Sequence, residues 1–387
     1  MIFVLIFILK LQLSFLSYLH FINNGYETID ARVVNQYKKK NYYVLKLKNS
    51  EVTFYTTSRE NLKNLLNEKL TLTLITKNIS FLGYLTSFYA PTFNYKLKPV
   101  SYIDEKIESQ HKDKKIVNLY KALYLGESID YKTREELSTL GISYLFALSG
   151  LHLGFISLIL FLIFSPIYKF FQKYFPYRNR FFDLGILVLI VEFFYLYFTN
   201  FPPSLIRAYV MEVILFVFAI RLQNVFSLKV LALTILFSFL IFFTKIFSIG
   251  FLLSIFGVYY IYLFFKYFKP TLLNGILLSF YMFFVMFIIS HSFFGNFNIY
   301  QLLSPFINLI FTIFYPISIF LHIIGFGGIF DEAIKWYLHF GDKFYIVKFD
   351  IITLILFAIT SIIAFFDRKI FIMMLIISFS AVLDSIF

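Results

Sequence analysis

From residue 145 onward the chain is a near-continuous succession of apolar segments, separated by short basic turns. A hydrocarbon core takes roughly 20 apolar helical residues to cross. Exposed strand edges and irregular loops do not survive in it, because their backbone groups find no hydrogen-bond partner. The pattern predicts a polytopic α-helical membrane protein. The spans read as residues 145–166, 184–198, 204–220, 226–243, 246–265, 272–291, 302–324, 351–366 and 370–387. Residues 1–22 are equally apolar and lack a basic start and a small-residue cleavage site, so they read as an uncleaved first helix. The count is then about ten. Pro202, Pro203, Pro305 and Pro316 leave room for broken or re-entrant helices.

Composition agrees, with 59% hydrophobic and 15% charged residues and a mean hydropathy of +0.77. The formal net charge of +13 fits either cytoplasmic-loop lysines or contact with a polyanion. The chain has no cysteine, which excludes disulfides, zinc thiolates and a thiol nucleophile.

Residues 23–100 change character. YETIDARVVNQY, NYYVLKLKN, EVTFYTT, LTLTLITKNIS and FLGYLTSFYA alternate apolar and polar residues, the strand signal, with a helical stretch RENLKNLLNEK between the third and fourth. That order suits a small OB-like β-barrel. Lys38, Lys39 and Lys40 fall at the first turn, where OB folds contact nucleic acid; a solvated hairpin tip is the bland alternative. Residues 101–141 read as an amphipathic helical linker on the membrane surface or the barrel, with Thr133 and Glu136 as a capping signal.

With the barrel outside, the cytoplasmic loops hold Lys169, Lys173, Arg178 and Arg180, then Arg221 and Lys229, then Lys266 and Lys269, then Lys335, Lys343 and Lys348. Outside remain Lys245, Arg368 and Lys369, so the positive-inside rule holds in every short loop but the last, with a cytoplasmic N-terminus. The stretch around Trp336 is too charged to span and reads as an interfacial helix.

Two polar clusters stand out in residues 142–387. In GISYLFALSGLHLGFIS, Ala147, Gly150, Gly154 and Ser157 form one small-residue stripe suited to helix packing, while Ser149 and His152 share another, polar face. His152 fits a buried, backbone-bonded ring as well as a cavity lining, and no second ligand stands at metal spacing. In FTNFPPSLIRAYVMEV, Ser204 can cap a helix after the proline pair, and Arg207 follows with Ala208 and Met211. A guanidinium there must pair, snorkel or meet an anion; a phosphate ligand and an intramembrane pair with Glu192 or Glu212 are the readings, and the five-residue step to Glu212 favours a partner on another helix. Ser254, His291, Asn296 and Asn308 are thinner signals, each compatible with an interhelical hydrogen bond. There is no Walker A, H-E-x-x-H or G-x-S-x-G pattern, so no enzyme and no cofactor or metal is expected.

These segments resemble a known family. ALSGLHLGFI resembles the SGLH signature of ComEC-type competence proteins, and PPSLIRAYVM, GFLLSIFGV and FFGNFNIYQLLSPFINLIF are similar to later segments in the same order. Gly126 in LYLGE sits where the family has a Leu-x-x-Gly. The proline after Asn308 and Leu309 is displaced, with Ile313 near its place and Pro316 beyond. No β-lactamase-like C-terminal domain, present in many members, follows the last segment.

The resemblance implies translocation of single-stranded transforming DNA across the cytoplasmic membrane through the helical core. Ser149, Gly150, His152, Gly154, Ser204, Arg207 and Asn308 would line or gate the path, and Lys38–Lys40 would receive DNA. Expected partners are single-stranded DNA, a periplasmic or surface DNA receptor, a cytoplasmic ATPase, single-strand-binding proteins and membrane lipid, with a homodimer as one assembly. The competing readings are a transporter or membrane enzyme for an anionic lipid or glycan, and a scaffold for envelope assembly.

Overall fold

The computed structural model describes residues 2–40, 42–49, 52–58, 65, 68–97, 102–199, 201–221, 228–241 and 249–386. Helix α1 (Ile2–Asn23) leads into a six-stranded sheet: β1 (Tyr26–Lys38), β2 (Tyr43–Lys48), β3 (Thr53–Ser58), β4 (Lys69–Ile75), the short α2 (Phe81–Leu85), β5 (Phe88–Tyr89) and β6 (Thr92–Leu97). The spatial order is β5-β3-β2-β1-β4-β6. β1 is 13 residues long; its first half pairs with β4 and its second, past an irregularity between Val33 and Asn35, with β2. Two-residue periodicity sends Val33, Leu45, Leu47, Phe54, Leu70, Leu72 and Leu74 inward. Phe21 of α1 closes the same core beside Tyr84.

The two edge strands are neighbours in the chain. β5 pairs in parallel with β3, β6 pairs with β4, and only Ala90 and Pro91 separate them. Ala90 N–H donates to Tyr55 O at 2.9 Å and Pro91 O accepts from Ile75 N–H at 3.0 Å, so one short segment ties both edges. The stretch 81–90 is strand only at Phe88–Tyr89, because Ser80 caps α2 by accepting from Gly83 N–H. Of the helix expected over 59–69 only residues 65, 68 and 69 are described, and Lys69 opens β4.

The linker forms α3 (Tyr102–Glu108), α4 (Lys114–Leu125) and α5 (Tyr131–Thr139). Asp113 caps α4, and Gly126 ends it in the left-handed region at φ +70. The cap of α5 is Asp130, which accepts from Thr133 N–H at 3.0 Å, so Thr133 and Glu136 are not the cap expected of them; both are buried inside the first turns. Arg32 of β1 reaches Glu127 at 3.1 Å, joining sheet to linker. Burial pushes the Glu127 carboxyl up, against the pull of Arg32.

The helical part is that of a multi-pass membrane protein. It comprises α6 (Gly150–Gln172), α7 (Arg180–Phe198), α8 (Pro203–Ile220), α9 (Leu228–Ile241), α10 (Ile249–Tyr267), α11 (Leu272–Phe293), β7 (Asn296–Phe297), α12 (Ser304–Ile324), α13 (Asp331–His339), β8 (Tyr345–Ile346), α14 (Ile351–Ala364) and α15 (Arg368–Asp384). Among the described residues six stretches are long and apolar enough to cross: α6, α7, α8, α10, α11 and residues 299–324. α9 and α14 are apolar but shorter. The linker docks on this part rather than on the sheet: Ile116, Leu119, Tyr120, Leu123 and Leu137 share a core with Phe311, Tyr315 and Leu338 of α12 and α13.

Contacts fix the direction of the last helices. At the C-terminal end of α10, Lys266 and Tyr267 donate to carbonyls of Phe365 and Ala364 at the end of α14. At the opposite end, Phe349 lies 6.1 Å from Phe287 of α11, ring to ring, and Val347 N–H donates to Gly295 O at 2.8 Å. α14 therefore runs parallel to α10, and the turn with Arg368 and Lys369 lies on the face that carries Lys266 and Lys269. Between α11 and α14 the chain leaves one face and returns to it, since β7 pairs with β8. The stretch 299–324 is long enough to cross, but with only the nine-residue α13 after it there is no net crossing.

This corrects the expected topology. Lys335, Lys343 and Lys348 lie with the C-terminus of α11, opposite the α10–α11 turn. Arg368 and Lys369 join the face of Lys266 and Lys269, and Lys335, Lys343 and Lys348 become the exception to the positive-inside rule. Hydropathy counts apolar residues and carries no sign for a helix that doubles back. In this cysteine-free chain, Lys269→Cys and Lys369→Cys are expected to label with an impermeant maleimide from one side of the membrane, and Lys343→Cys from the other. Opposite labelling of 269 and 369 would overturn the correction.

Candidate functional site

The start of α6 is built by its own first turn. Ser149 is extended (φ −144, ψ −179), and His152 Nδ1 accepts from Ser149 N–H at 3.2 Å in a capping box. Nδ1 is thereby the acceptor, so the proton sits on Nε2, which has no partner. The ring is 1% exposed and stands edge-on to Tyr315 of α12 at 4.6 Å. His152 is thus buried, and its backbone bond is one it accepts from an N–H rather than one it donates to a carbonyl.

The small-residue stripe divides. Ala147 precedes the helix, in the turn after residues 143–145, so it cannot share a helical face with the others. Gly150 lets α8 come close: a Cβ there would lie 3.5 Å from that of Ala208. Gly154 faces open space. Ser157 does not pack but hydrogen-bonds, its Oγ lying 2.6 Å from Glu192 Oε1 of α7 and 2.8 Å from Glu212 Oε1 of α8.

The start of α8 meets the start of α6. Phe201 is left-handed (φ +54), Pro202 is the N-cap and Pro203 opens the helix. Ser204 is not the cap; its Oγ donates to Leu148 O at 2.5 Å, pinning the residue before Ser149. The end of α4 enters the same place. Tyr195 Oη donates to Tyr124 O at 2.9 Å, and a Cβ on Gly126 would lie 2.7 Å from Leu148 and 3.7 Å from Pro202. Glycine is required there twice over, by positive φ and by contact. Three segments distant in sequence therefore converge on Leu148.

Arg207, one turn into α8, is 5% exposed. Its Nη1 lies 4.0 Å from Met211 Sδ and its Nε has no partner. Tyr262 of α10 is its electrostatic neighbour. It pairs with neither Glu192 nor Glu212, which Ser157 holds to each other, so the expected intramembrane ion pair does not form. An uncompensated buried guanidinium is costly and is the natural counterpart of an anion.

Other sequence candidates lie apart. Asn308 Nδ2 donates to Ser279 Oγ at 3.0 Å, joining α12 to α11. His291 Nδ1 contacts Phe287 O within its own helix, and Asn296 belongs to β7. Lys38, Lys39 and Lys40 are exposed at the β1–β2 turn. Among the described residues, no three His, Asp or Glu side chains are grouped to hold a metal ion. The triad Ser157–Glu192–Glu212 was not foreseen, since its members sit on separate helices.

A family model described as Competence protein matches residues 123–383, more than half of the chain and the whole of the region in which these segments meet. No curated protein and no solved structure matches.

Proposed function

We propose, for a chain that belongs to the competence protein family, that its helical core passes one strand of DNA across the cytoplasmic membrane during transformation. The observation that carries this reading is Arg207. Among the described residues this buried cation has no carboxylate beside it, and it lies one turn into α8, the helix that begins against the end of α4 and the start of α6. A polyanion supplies the missing charge as it passes.

The N-terminal sheet reads as the OB-type receiving domain. The parallel pairing of β3 with β5, and a closing strand broken at Ala90 and Pro91, support it. Its Lys38–Lys40 turn is exposed for contact with phosphates. The proposal places the N-terminus in the cytoplasm and the sheet outside. It counts α1, α6–α11, α14 and α15 as the crossing helices, nine rather than ten. A cytoplasmic ATPase is proposed to pull the strand, and a nuclease to degrade its complement.

The test is DNA uptake in a deletion strain, scoring arrival outside the cytoplasmic membrane and arrival in the cytoplasm separately. Loss of only the second step is expected. Intact transformation with altered anionic lipid or glycan would overturn the reading in favour of a lipid or glycan transporter.

A further inference from the structure

At the opposite end of α6 from His152, a groove of about 400 Å³ opens between the last turns of α6 and the first turns of α7. Phe171, Phe175, Leu184 and Leu187 line it with apolar surface, and Tyr168, Gln172, Arg178 and Asp183 are its polar residues. These polar side chains hold one another. Asp183 accepts from Tyr168 Oη, from Arg178 Nε at 2.7 Å and from Arg178 Nη2 at 2.8 Å. Gln172 Nε2 donates to Arg178 O at 3.3 Å and ties the turn back to α6. The groove is therefore framed by a closed set of bonds, and its one carboxylate is neutralised in place.

Charge around the groove is one-sided. From Tyr168 to Asp183 the chain carries Lys169, Lys173, Arg178 and Arg180, and Asp183 is the only acid. Arg178 gives two of its five N–H donors to Asp183 and its side chain is 63% exposed, so it has donors left for a second anion. Lys173 stands over the rings of Phe170 at 4.6 Å and Tyr174 at 5.0 Å, and Arg180 over Phe181 at 5.6 Å, contacts that orient a cation without cancelling its charge. Phe170, Phe171, Tyr174, Phe175 and Tyr177 are all exposed, as in the aromatic belt at the edge of a bilayer. A free phosphate would meet these cations and leave the apolar walls bare, and a zwitterionic lipid would bring its own cation against them. An anionic phospholipid suits both the walls and the charge.

We infer that this groove seats one anionic phospholipid, with an acyl chain along Phe171, Phe175 and Leu187 and the phosphate against Arg178, Lys169 and Lys173. The lipid braces the α6–α7 turn from outside, as Ser157 and Glu192 join the same two helices inside the bundle. The α10–α11 turn is basic too, but its Lys266 donates to the Phe365 carbonyl and stands 3.8 Å from the centre of the Phe365 ring, so the end of α14 already engages it. The lipid site does not rest on the DNA reading, and its test uses no DNA.

The experiment uses the full chain with Trp336→Phe, which removes its single tryptophan, and Phe175→Trp as a reporter in the groove. In nanodiscs of phosphatidylcholine, a small fraction of brominated phosphatidylglycerol should quench the reporter with an initial slope about fivefold that of brominated phosphatidylcholine at the same fraction. Lys169→Gln combined with Lys173→Gln should remove most of that preference. Quenching by brominated phosphatidylcholine should stay unchanged in that variant, which separates lost recognition from a misfolded chain. A second reporter, Leu273→Trp, exposed just after Lys269, should show nearly equal slopes for the two lipids. Excess inorganic phosphate, compared with chloride at equal ionic strength, should leave all slopes as they are. Equal slopes at residue 175, or a preference that survives the double substitution, would overturn the site. The same preference at residue 273 would replace it with general attraction to a basic membrane face, and loss of the preference in inorganic phosphate would make it a free-anion site instead.

Discussion

Replacing Arg207 with methionine is expected to stabilise the purified chain while nearly abolishing DNA transfer. Methionine fills a similar volume among Met211, Ala208 and Tyr262 but brings no charge. Replacing even a buried ion pair with well-packed apolar side chains is often neutral or gains about 1–4 kcal/mol, and an unpaired charge has less to lose. DNA arrival in the cytoplasm should fall on the order of 100-fold, the kinetic equivalent of about 3 kcal/mol. The opposite signs carry the argument, because a structural arginine would lose stability and function together. Arg207→Lys should fall between, keeping the charge but not the planar fork that grips a phosphate. Unfolding in nanodiscs and transformation at matched membrane abundance are the two measurements. A destabilised, inactive methionine variant would make Arg207 a packing residue, and a fully active one would take it off the path.

The fold was legible where the chain carries phase. In TIDARV the alternation is strict and lies within β1, and the basic tip at Lys38–Lys40 falls where the pattern breaks. It was least legible where phase is missing. Helices apolar all round give no preferred face, so hydropathy found the stretch 299–324 and could not say that α12 returns. FLGYL read as strand because Ser80, which caps a single helical turn, lies outside the repeat. Thr133 and Glu136 had the spacing of a cap, but Asp130, three residues earlier, accepts the bond first.

The site divided in the same way. Ser149 and His152 are three apart on one turn, so local spacing found them and the capping box explains them. The convergence on Leu148 of Gly126, Ser204 and Ser149 is a tertiary fact that only the family resemblance hinted at. Arg207 reads as costly from the sequence, which leaves an anion and a pair with Glu192 or Glu212 both open. Spacing along the chain does not show that Glu192, Glu212 and Ser157 satisfy one another across α6, α7 and α8. His111 and His322, whose Nε2 atoms lie 3.0 Å apart across 211 residues of chain, give no spacing signal at all.

That acid pair yields the second large expectation, a contrast between two conservative changes. Ser157 Oγ touches a carboxyl oxygen on either side, yet a hydroxyl has a single proton to give. It donates to one carboxylate, and the other contact closes only if that carboxyl donates its own proton back. One of the two glutamates is therefore held as an acid, in a place where Glu192 is fully buried. Ser157→Ala removes both hydrogen bonds and leaves two carboxyl groups facing without a bridge. With roughly 1.5–3 kcal/mol for the bond to the carboxylate and roughly 0.5–1.5 kcal/mol for the bond to the neutral acid, it should cost about 2–4 kcal/mol. Glu192→Gln should cost less than about 1 kcal/mol, because an amide donor can take the place of the protonated carboxyl. Unfolding of both variants in nanodiscs checks this, and an equal loss would mean that neither carboxyl holds a proton. The ordering bears on transport as well. With one proton between them the acids keep a single negative charge, which Ser157 rather than Arg207 holds, so the guanidinium is left for the cargo.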